Sequence, residues 1–236
     1  MSSDLSSKYV VIPAAGIGTR MKLDIPKQYI KLKNQKTILD TTISIFVNNS
    51  FFDKVIVALN KNDQFWQDSI YSNNSKVITC TGGDTRFESV RTALTAIKQF
   101  DCEKDSWVFV HDAARPALDL TDVTMLYEQV KVAQSQCGIL AIQAFETVKK
   151  VSGSKITETL DRNHIWLAQT PQLAKLGLLD RAFEYCKNKG LTGKITDEAS
   201  ALELFDSGPI IVEGSKKNIK VTTKDDLDYI DWVFSN

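Results

Sequence analysis

Residues 9–29 read Tyr-Val-Val-Ile-Pro-Ala-Ala-Gly-Ile-Gly-Thr-Arg-Met-Lys-Leu-Asp-Ile-Pro-Lys-Gln-Tyr. The apolar run 9–12 predicts a strand that is buried on both faces. Small residues follow, and they let a backbone approach a ligand closely with its amide N–H groups free to point at it: Ala14, Ala15, Gly16 and Gly18. The cations Arg20 and Lys27 come next. Together these features predict a polyphosphate-binding loop. The alternative is a tight turn that packs a helix on a sheet.

Two common phosphate-binding loops are excluded by the same stretch. A dinucleotide-binding fingerprint requires glycine at position 21, where this chain has Met21. A P-loop requires Gly-Lys followed by Ser or Thr at the end of its glycine run, and no such string follows Gly18.

Composition limits the classes of protein that fit. Lysine plus arginine equals aspartate plus glutamate, 29 each, which argues against a broad nucleic-acid-binding surface. The length suits a single domain, 1–236. The four cysteines form no Cys-x-x-Cys pair, so neither a zinc knuckle nor a redox pair is predicted. A short polar start and the lack of a membrane-length apolar run predict a cytoplasmic protein without a membrane partner.

Apolar periodicity predicts strands that alternate with helices. The predicted strands are 9–12, 29–32, 54–59, 76–80, 107–110 and 137–142, with short ones near 210–213 and 219–221. The predicted helices are 37–48, 63–71, 86–99, 121–134, 172–188, 197–206 and 224–235. This alternation predicts an α/β fold, a Rossmann-like, mostly parallel sheet flanked by helices.

The alternation lapses at 143–163. Residues 146–151 and 156–160 alternate polar and apolar around the turn 152–154, which predicts a protruding β-hairpin arm. Because a polar two-stranded hairpin is marginal alone, we expect the arm to pair with something, such as the same arm of a second subunit.

Two further motifs follow predicted strands, where ligands of open α/β sheets bind. In the stretch 81–90, glycines permit close backbone approach and Ser89 offers a hydroxyl, which suits recognition of a cytosine ring. The alternative is an ordinary loop in which Asp84 caps a helix.

The second motif is Val-His-Asp-Ala-Ala-Arg-Pro at 110–116. Asp112 is a hard oxygen ligand of the kind that Mg²⁺ prefers, and Arg115 is a fork for a phosphate or hydroxyls. The alternative for this pair is a surface salt bridge. We interpret His111 as structural, because a phosphate nucleophile is already ionised near neutral pH and needs no base.

The string 14–21 with Pro-Lys-Gln at 26–28 resembles the signature loop of nucleotidyltransferases that activate sugar and polyol phosphates, and Pro-Lys-Gln is typical of the cytidylyltransferase branch. Three later strings, 160–172, 195–201 and 218–222, continue the likeness in order. From 9 to 235 the chain resembles the 2-C-methyl-D-erythritol 4-phosphate cytidylyltransferases. Several motifs are shared with ribitol-5-phosphate cytidylyltransferases, but the Asp-Arg-x-x-x-Trp run at 161–166 favours the methylerythritol family.

The resemblance implies transfer of CMP from CTP to the polyol phosphate, with loss of pyrophosphate, in non-mevalonate isoprenoid biosynthesis. It implies three catalytic cations, Arg20, Lys27 and Lys220. It implies nucleotide contacts from Ala14, Ala15, Gly16, Gly18, Gly83, Asp84 and Ser89, and substrate contacts from Asp112, Arg115, Thr147, Arg162, Thr170 and Thr196. Asp112 would also hold Mg²⁺ or another divalent cation.

By the same resemblance, the arm is exchanged in a homodimer, so that Thr147 and Arg162 reach the partner's site. From the residues alone, Arg162 is equally well a solvated side chain. A distant alternative is a non-catalytic nucleotide sensor on the same fold, which the intact set of cations disfavours. A dehydrogenase is disfavoured by Met21 and by the lack of a suitable acidic residue after a second strand.

Overall fold

A computed structural model describes residues 6–16, 25–101 and 105–235. The predicted site residues Gly18 and Arg20 lie outside these ranges. Within them, the strands are β1 (Lys8–Ala14), β2 (Lys54–Leu59), β3 (Val77–Thr81), β4 (Trp107–Val110), β5 (Cys137–Gln143), β6 (Val148–Ser152), β7 (Lys155–Leu160), β8 (Trp166–Lys175) and β9 (Ile210–Glu213). Seven of them form one sheet in the order β3-β2-β1-β4-β8-β5-β9, parallel except at β8.

Helices cover both faces of this sheet. They are α1 (Ile38–Val47), α2 (Arg86–Phe100), α3 (Leu120–Val132), α4 (Leu176–Asn188), α5 (Glu198–Leu204) and α6 (Lys224–Val233). Val10 and Ile12 of β1 join a core that includes α1 and α3, whereas Tyr9 and Val11 join the core beneath α2 and α4. The predicted mostly parallel sheet flanked by helices, with a central strand buried on both faces, is therefore confirmed.

The strand β8 corrects the sequence prediction. We expected a helix over 172–188, but 166–175 is a strand that lies antiparallel between β4 and β5, and the helix begins only at 176. The strand carries the buried polar residues Gln169, Thr170 and Gln172, which interrupt the apolar run typical of a central strand. Their side chains are all hydrogen-bonded, so the sheet interior tolerates them.

Three shorter predictions were also wrong. The expected strand 29–32 is a 3₁₀ turn, Lys27–Tyr29, followed by an isolated bridge from Lys31. The expected helix 63–71 is a single 3₁₀ turn, Trp66–Asp68, because the backbone becomes extended at Ser69, with φ −67° and ψ 136°. The segment 219–221 forms no strand.

The hairpin was predicted correctly. Strands β6 and β7 pair with each other in a separate two-stranded sheet. Its apolar side chains Val151 and Ile156 are each 57% exposed. No helix among the described residues is both long enough and apolar enough to cross a bilayer.

Candidate active site

A cavity of about 400 Å³ lies at the carboxyl ends of β1, β3 and β4. This is where a parallel sheet presents its loops to ligands. Nine of the residues that the resemblance assigned to the site line it: Ala14, Ala15, Gly16, Lys27, Gly83, Asp84, Ser89, Asp112 and Lys220. The three sequence motifs, which lie far apart along the chain, therefore meet in one place.

The start of the first loop is held by side chains from outside it. The Gln28 amide donates to the carbonyl oxygens of Ala14 at 2.8 Å and Gly16 at 3.1 Å. Asn60 donates to the carbonyl of Ala15 at 3.0 Å. With its carbonyls engaged, this backbone has a fixed shape at the cavity wall. Gln28 therefore positions the loop, a role that its place in the Pro-Lys-Gln string could have suggested.

The second loop is shaped by the start of α2. Thr85, rather than Asp84, is the N-cap, and it forms a capping box with Glu88. The buried Ser89 hydroxyl donates to the Thr85 carbonyl at 2.9 Å and accepts from the Gly83 amide at 3.2 Å. A Cβ at Gly83 would overlap Glu88, so only glycine fits this approach.

Asp112 lies at the centre of a group of cations. Its Oδ1 is 3.1 Å from Arg86 Nε, and its Oδ2 is 2.9 Å from Lys220 Nζ and 3.4 Å from Arg115 Nε. Burial alone would raise the pKa of Asp112, but Arg86, Lys220 and Arg115 outweigh it and hold that pKa well below its usual range. The Asp112–Arg115 ion pair exists, but it is buried and not the surface salt bridge that the alternative supposed.

Arg86 is a second site residue, after Gln28, that the sequence analysis missed. It lines the cavity, and its Nη1 contacts Glu198 Oε1 at 2.5 Å while its Nε contacts Asp112. Burial would lower the pKa of Arg86, but the two carboxylates raise it, so the guanidinium stays charged. The signal was present, because Arg86 lies within the motif 81–90 and Glu198 within the string 195–201. Only their meeting across the fold could not be read from spacing.

The buried side chains of His111 and Thr170, with the backbone carbonyl of Arg115, support Asp112. His111 Nε2 is 3.0 Å from the Arg115 carbonyl, which can only accept, so Nε2 carries the proton. Nδ1 then accepts from the Thr170 hydroxyl at 3.0 Å, and that hydroxyl accepts from the Asp112 amide at 3.1 Å. Burial lowers the pKa of His111 to about 4, so the ring is neutral at physiological pH. This chain of bonds fits a structural histidine.

The remaining predicted substrate residues lie outside the cavity wall. Arg115 donates to the Asn218 carbonyl at 2.5 Å. Thr196 is exposed in the segment before α5, and Thr147 and Arg162 are exposed on or beside the arm. Arg162 donates to the Phe145 carbonyl of its own chain. Within one chain, the structure does not bring Thr147, Arg162 or Thr196 to the cavity.

The cavity offers carboxylate oxygen to a metal mainly through Asp112. Among the described residues no three His, Cys, Asp or Glu side chains come together. Mg²⁺ is commonly held by one or two carboxylates together with substrate phosphates, so a single aspartate beside a phosphate-binding surface fits this metal. Zinc and calcium sites, which take most of their ligands from the protein, fit less well.

Comparison with known proteins gives one consistent result. The family model described as IspD, 2-C-methyl-D-erythritol 4-phosphate cytidylyltransferase, matches residues 9–235. The protein of that name from Vesicomyosocius okutanii is 39% identical, and the match covers 97% of this chain and 96% of that protein. The crystal structure of the Francisella tularensis protein of that name has a TM-score of 0.86 at 55% identity, covering 96% of this chain and 99% of its own. A Thermus thermophilus structure of that name has a TM-score of 0.78 at 26% identity, with 96% and 98% covered.

Proposed function

Because the chain belongs to the family of 2-C-methyl-D-erythritol 4-phosphate cytidylyltransferases, we propose that it transfers CMP from CTP to 2-C-methyl-D-erythritol 4-phosphate. The products are 4-diphosphocytidyl-2-C-methyl-D-erythritol and pyrophosphate, in non-mevalonate isoprenoid biosynthesis. The observation that carries the proposal is the convergence of Lys27, Arg86 and Lys220 on one cavity walled by two glycine-containing loops.

The chemistry joins two anions. An oxygen of the polyol phosphate attacks the α-phosphorus of CTP, and the bond to the departing pyrophosphate oxygen breaks. The protein must therefore neutralise charge and hold the reactants in line. In our proposal Lys27 and Lys220, with Arg20, carry out the neutralisation. Lys27 is fixed for this by a 3.1 Å bond from its Nζ to the Val221 carbonyl, next to Lys220 in the chain.

The base would lie on the second loop. The carbonyls and amides around Gly83 and Asp84, in a loop braced by Ser89, supply uncharged donors and acceptors of the kind that match a cytosine edge. The wall formed by Ala14, Ala15 and Gly16 would lie against the nucleoside and the phosphates. We propose that Asp112 holds Mg²⁺, which when bound shares the neutralisation of phosphate charge.

The polyol phosphate would lie beyond Asp112. We propose that Arg115, Thr170 and Thr196 hold it, together with Thr147 and Arg162 of the partner subunit in a homodimer with exchanged arms. The support comes from the arm, which leaves Val151 and Ile156 half exposed and so has apolar surface to bury. In this proposal 1–236 is one domain with 143–163 as its arm, and the enzyme works in the cytoplasm.

Pyrophosphate release tests the proposed reaction. We expect the purified protein with CTP and Mg²⁺ to release pyrophosphate rapidly with 2-C-methyl-D-erythritol 4-phosphate and slowly with ribitol 5-phosphate. Faster release with ribitol 5-phosphate would show that the protein is a ribitol-5-phosphate cytidylyltransferase instead. Binding of CTP without release in the presence of either acceptor would make it a nucleotide sensor.

A further inference from the structure

Glu198 is the buried acid of the site that the proposed reaction leaves unused. It is the first residue of α5 and is 1% exposed. Its Oε1 accepts from Arg86 Nη1, while its Oε2 and Arg86 Nη2 have no hydrogen-bond partner in the part of the chain that the structure describes. Buried polar atoms without hydrogen-bond partners cost stability, so packing alone does not account for this pair.

Arg86 connects Glu198 to the reacting centre. The guanidinium contacts Glu198 through Nη1 and Asp112 Oδ1 through Nε, so that one planar group fixes both carboxylates. Asp112 Oδ2 is then left to Lys220 and Arg115. Which cations contact each carboxylate oxygen of Asp112 therefore depends on where Arg86 is held.

Helix α5 is itself fixed to the sheet at this point. Gln172 of β8 donates to Asp197 Oδ2 at 2.8 Å and accepts from the Ala199 amide at 2.8 Å. Gln172 pairs in register with Val110, two residues before Asp112. The start of α5 follows Thr196, which we propose contacts the polyol phosphate. Glu198 thus lies between Arg86, which lines the cavity, and Thr196 of the proposed polyol-phosphate site.

We propose that Glu198 is a positioning residue, which anchors Arg86 so that Arg86 orients Asp112 and ties the nucleotide-binding loop before α2 to the segment before α5. This inference rests on the proposed function and extends it. Glu198 itself touches no substrate and acts only through Arg86. Without its carboxylate, three cations would share the single carboxylate of Asp112, and Arg86 would lose its orientation.

A double-mutant cycle with Asp112 tests the proposal. We expect Glu198→Gln to lower kcat/KM for the polyol phosphate by about tenfold or more, because a neutral amide holds a guanidinium more weakly than a carboxylate does. If Glu198 acts through Asp112, the double variant Glu198→Gln/Asp112→Asn should be no slower than Asp112→Asn alone, to within about twofold. Purely structural damage would instead multiply with the loss at Asp112.

The matched control is Glu203→Gln, an exposed acid on the same helix, which should keep wild-type kinetics. Thermal unfolding of each variant shows whether the fold is retained. If Glu198→Gln does not fold, Glu198→Asp keeps the charge but shortens the side chain that holds Arg86, and it should show a smaller loss that likewise disappears in the Asp112→Asn background.

Wild-type kinetics in a folded Glu198 variant, or losses that multiply in the cycle, would overturn the proposal. Failure of the unmodified protein to release pyrophosphate would instead overturn the proposed function and this inference with it.

Discussion

At the scale of single residues, Lys220 connects the cavity to the acid at its centre. Its Nζ lies 2.9 Å from Asp112 Oδ2, and its side chain lines the cavity. We predict that Lys220→Ala lowers kcat/KM by about 100-fold, or roughly 2.7 kcal/mol, because charge that develops on phosphate in a preorganised site loses a fixed partner. Lys27→Ala should cause a loss of similar size.

The control for this measurement is Lys217→Ala. Lys217 is exposed, lies three residues earlier in the same segment and lines a different cavity. Steady-state pyrophosphate release compares the variants, and circular dichroism confirms their fold. A Lys220→Ala protein with near-normal turnover would remove this lysine from the mechanism.

At the scale of elements, His111 joins the end of β4 to β8 through Thr170. Its pKa is about 4 in the folded protein, against 6.5 for an unperturbed histidine. Between these values the unfolded chain binds more protons, so stability is full above pH 6.5 and falls as the pH falls. We predict that this group alone lowers the free energy of unfolding by about 2 kcal/mol between pH 7.5 and pH 5.

Denaturant unfolding at the two pH values measures this loss. His111→Gln should lack most of it, whereas His164→Gln, at the exposed second histidine, should show the wild-type loss. The raised pKa of buried Glu198 acts in the opposite direction, and the lowered pKa of Asp112 acts only at lower pH, so the comparison between variants isolates His111. Equal pH dependence in both variants would contradict the assignment.

The elements also show how far sequence reasoning reaches. The strand Trp107–Val110 and the hairpin were predicted correctly because their apolar patterns are local. The strand β8 was missed because buried Gln169, Thr170 and Gln172 look polar until their partners are known. In the same way, motifs placed the loops of the site correctly at strand ends, but the contact between Arg86 and Glu198 joins residues 112 positions apart, which no local pattern encodes.

At the scale of the whole molecule, the arm is the feature whose apolar side chains, Val151 and Ile156, stay exposed in a single chain. We predict that replacing 146–160 with a short turn yields monomers with weak activity, because the change removes Thr147 and the apolar arm surface, and without a dimer Arg162 of the partner subunit no longer reaches the site. Analytical ultracentrifugation gives the mass in solution, and pyrophosphate release gives the activity. Shortening only the turn 152–154 is the control and should leave a dimer. Fully active monomers would show that the arm is not needed.

The order of synthesis separates the strands of the sheet from Lys220. A ribosome has produced every strand of the sheet, ending with β9 at Glu213, before it adds Lys220 and the Val221 carbonyl that holds Lys27. A nascent chain can therefore complete its sheet while it still lacks a cation of the cavity and the brace of another. Translation that stops between these points would give a chain that has every strand of the sheet but lacks Lys220, the brace of Lys27 and helix α6 with its buried Ile230, so we expect it to release no pyrophosphate.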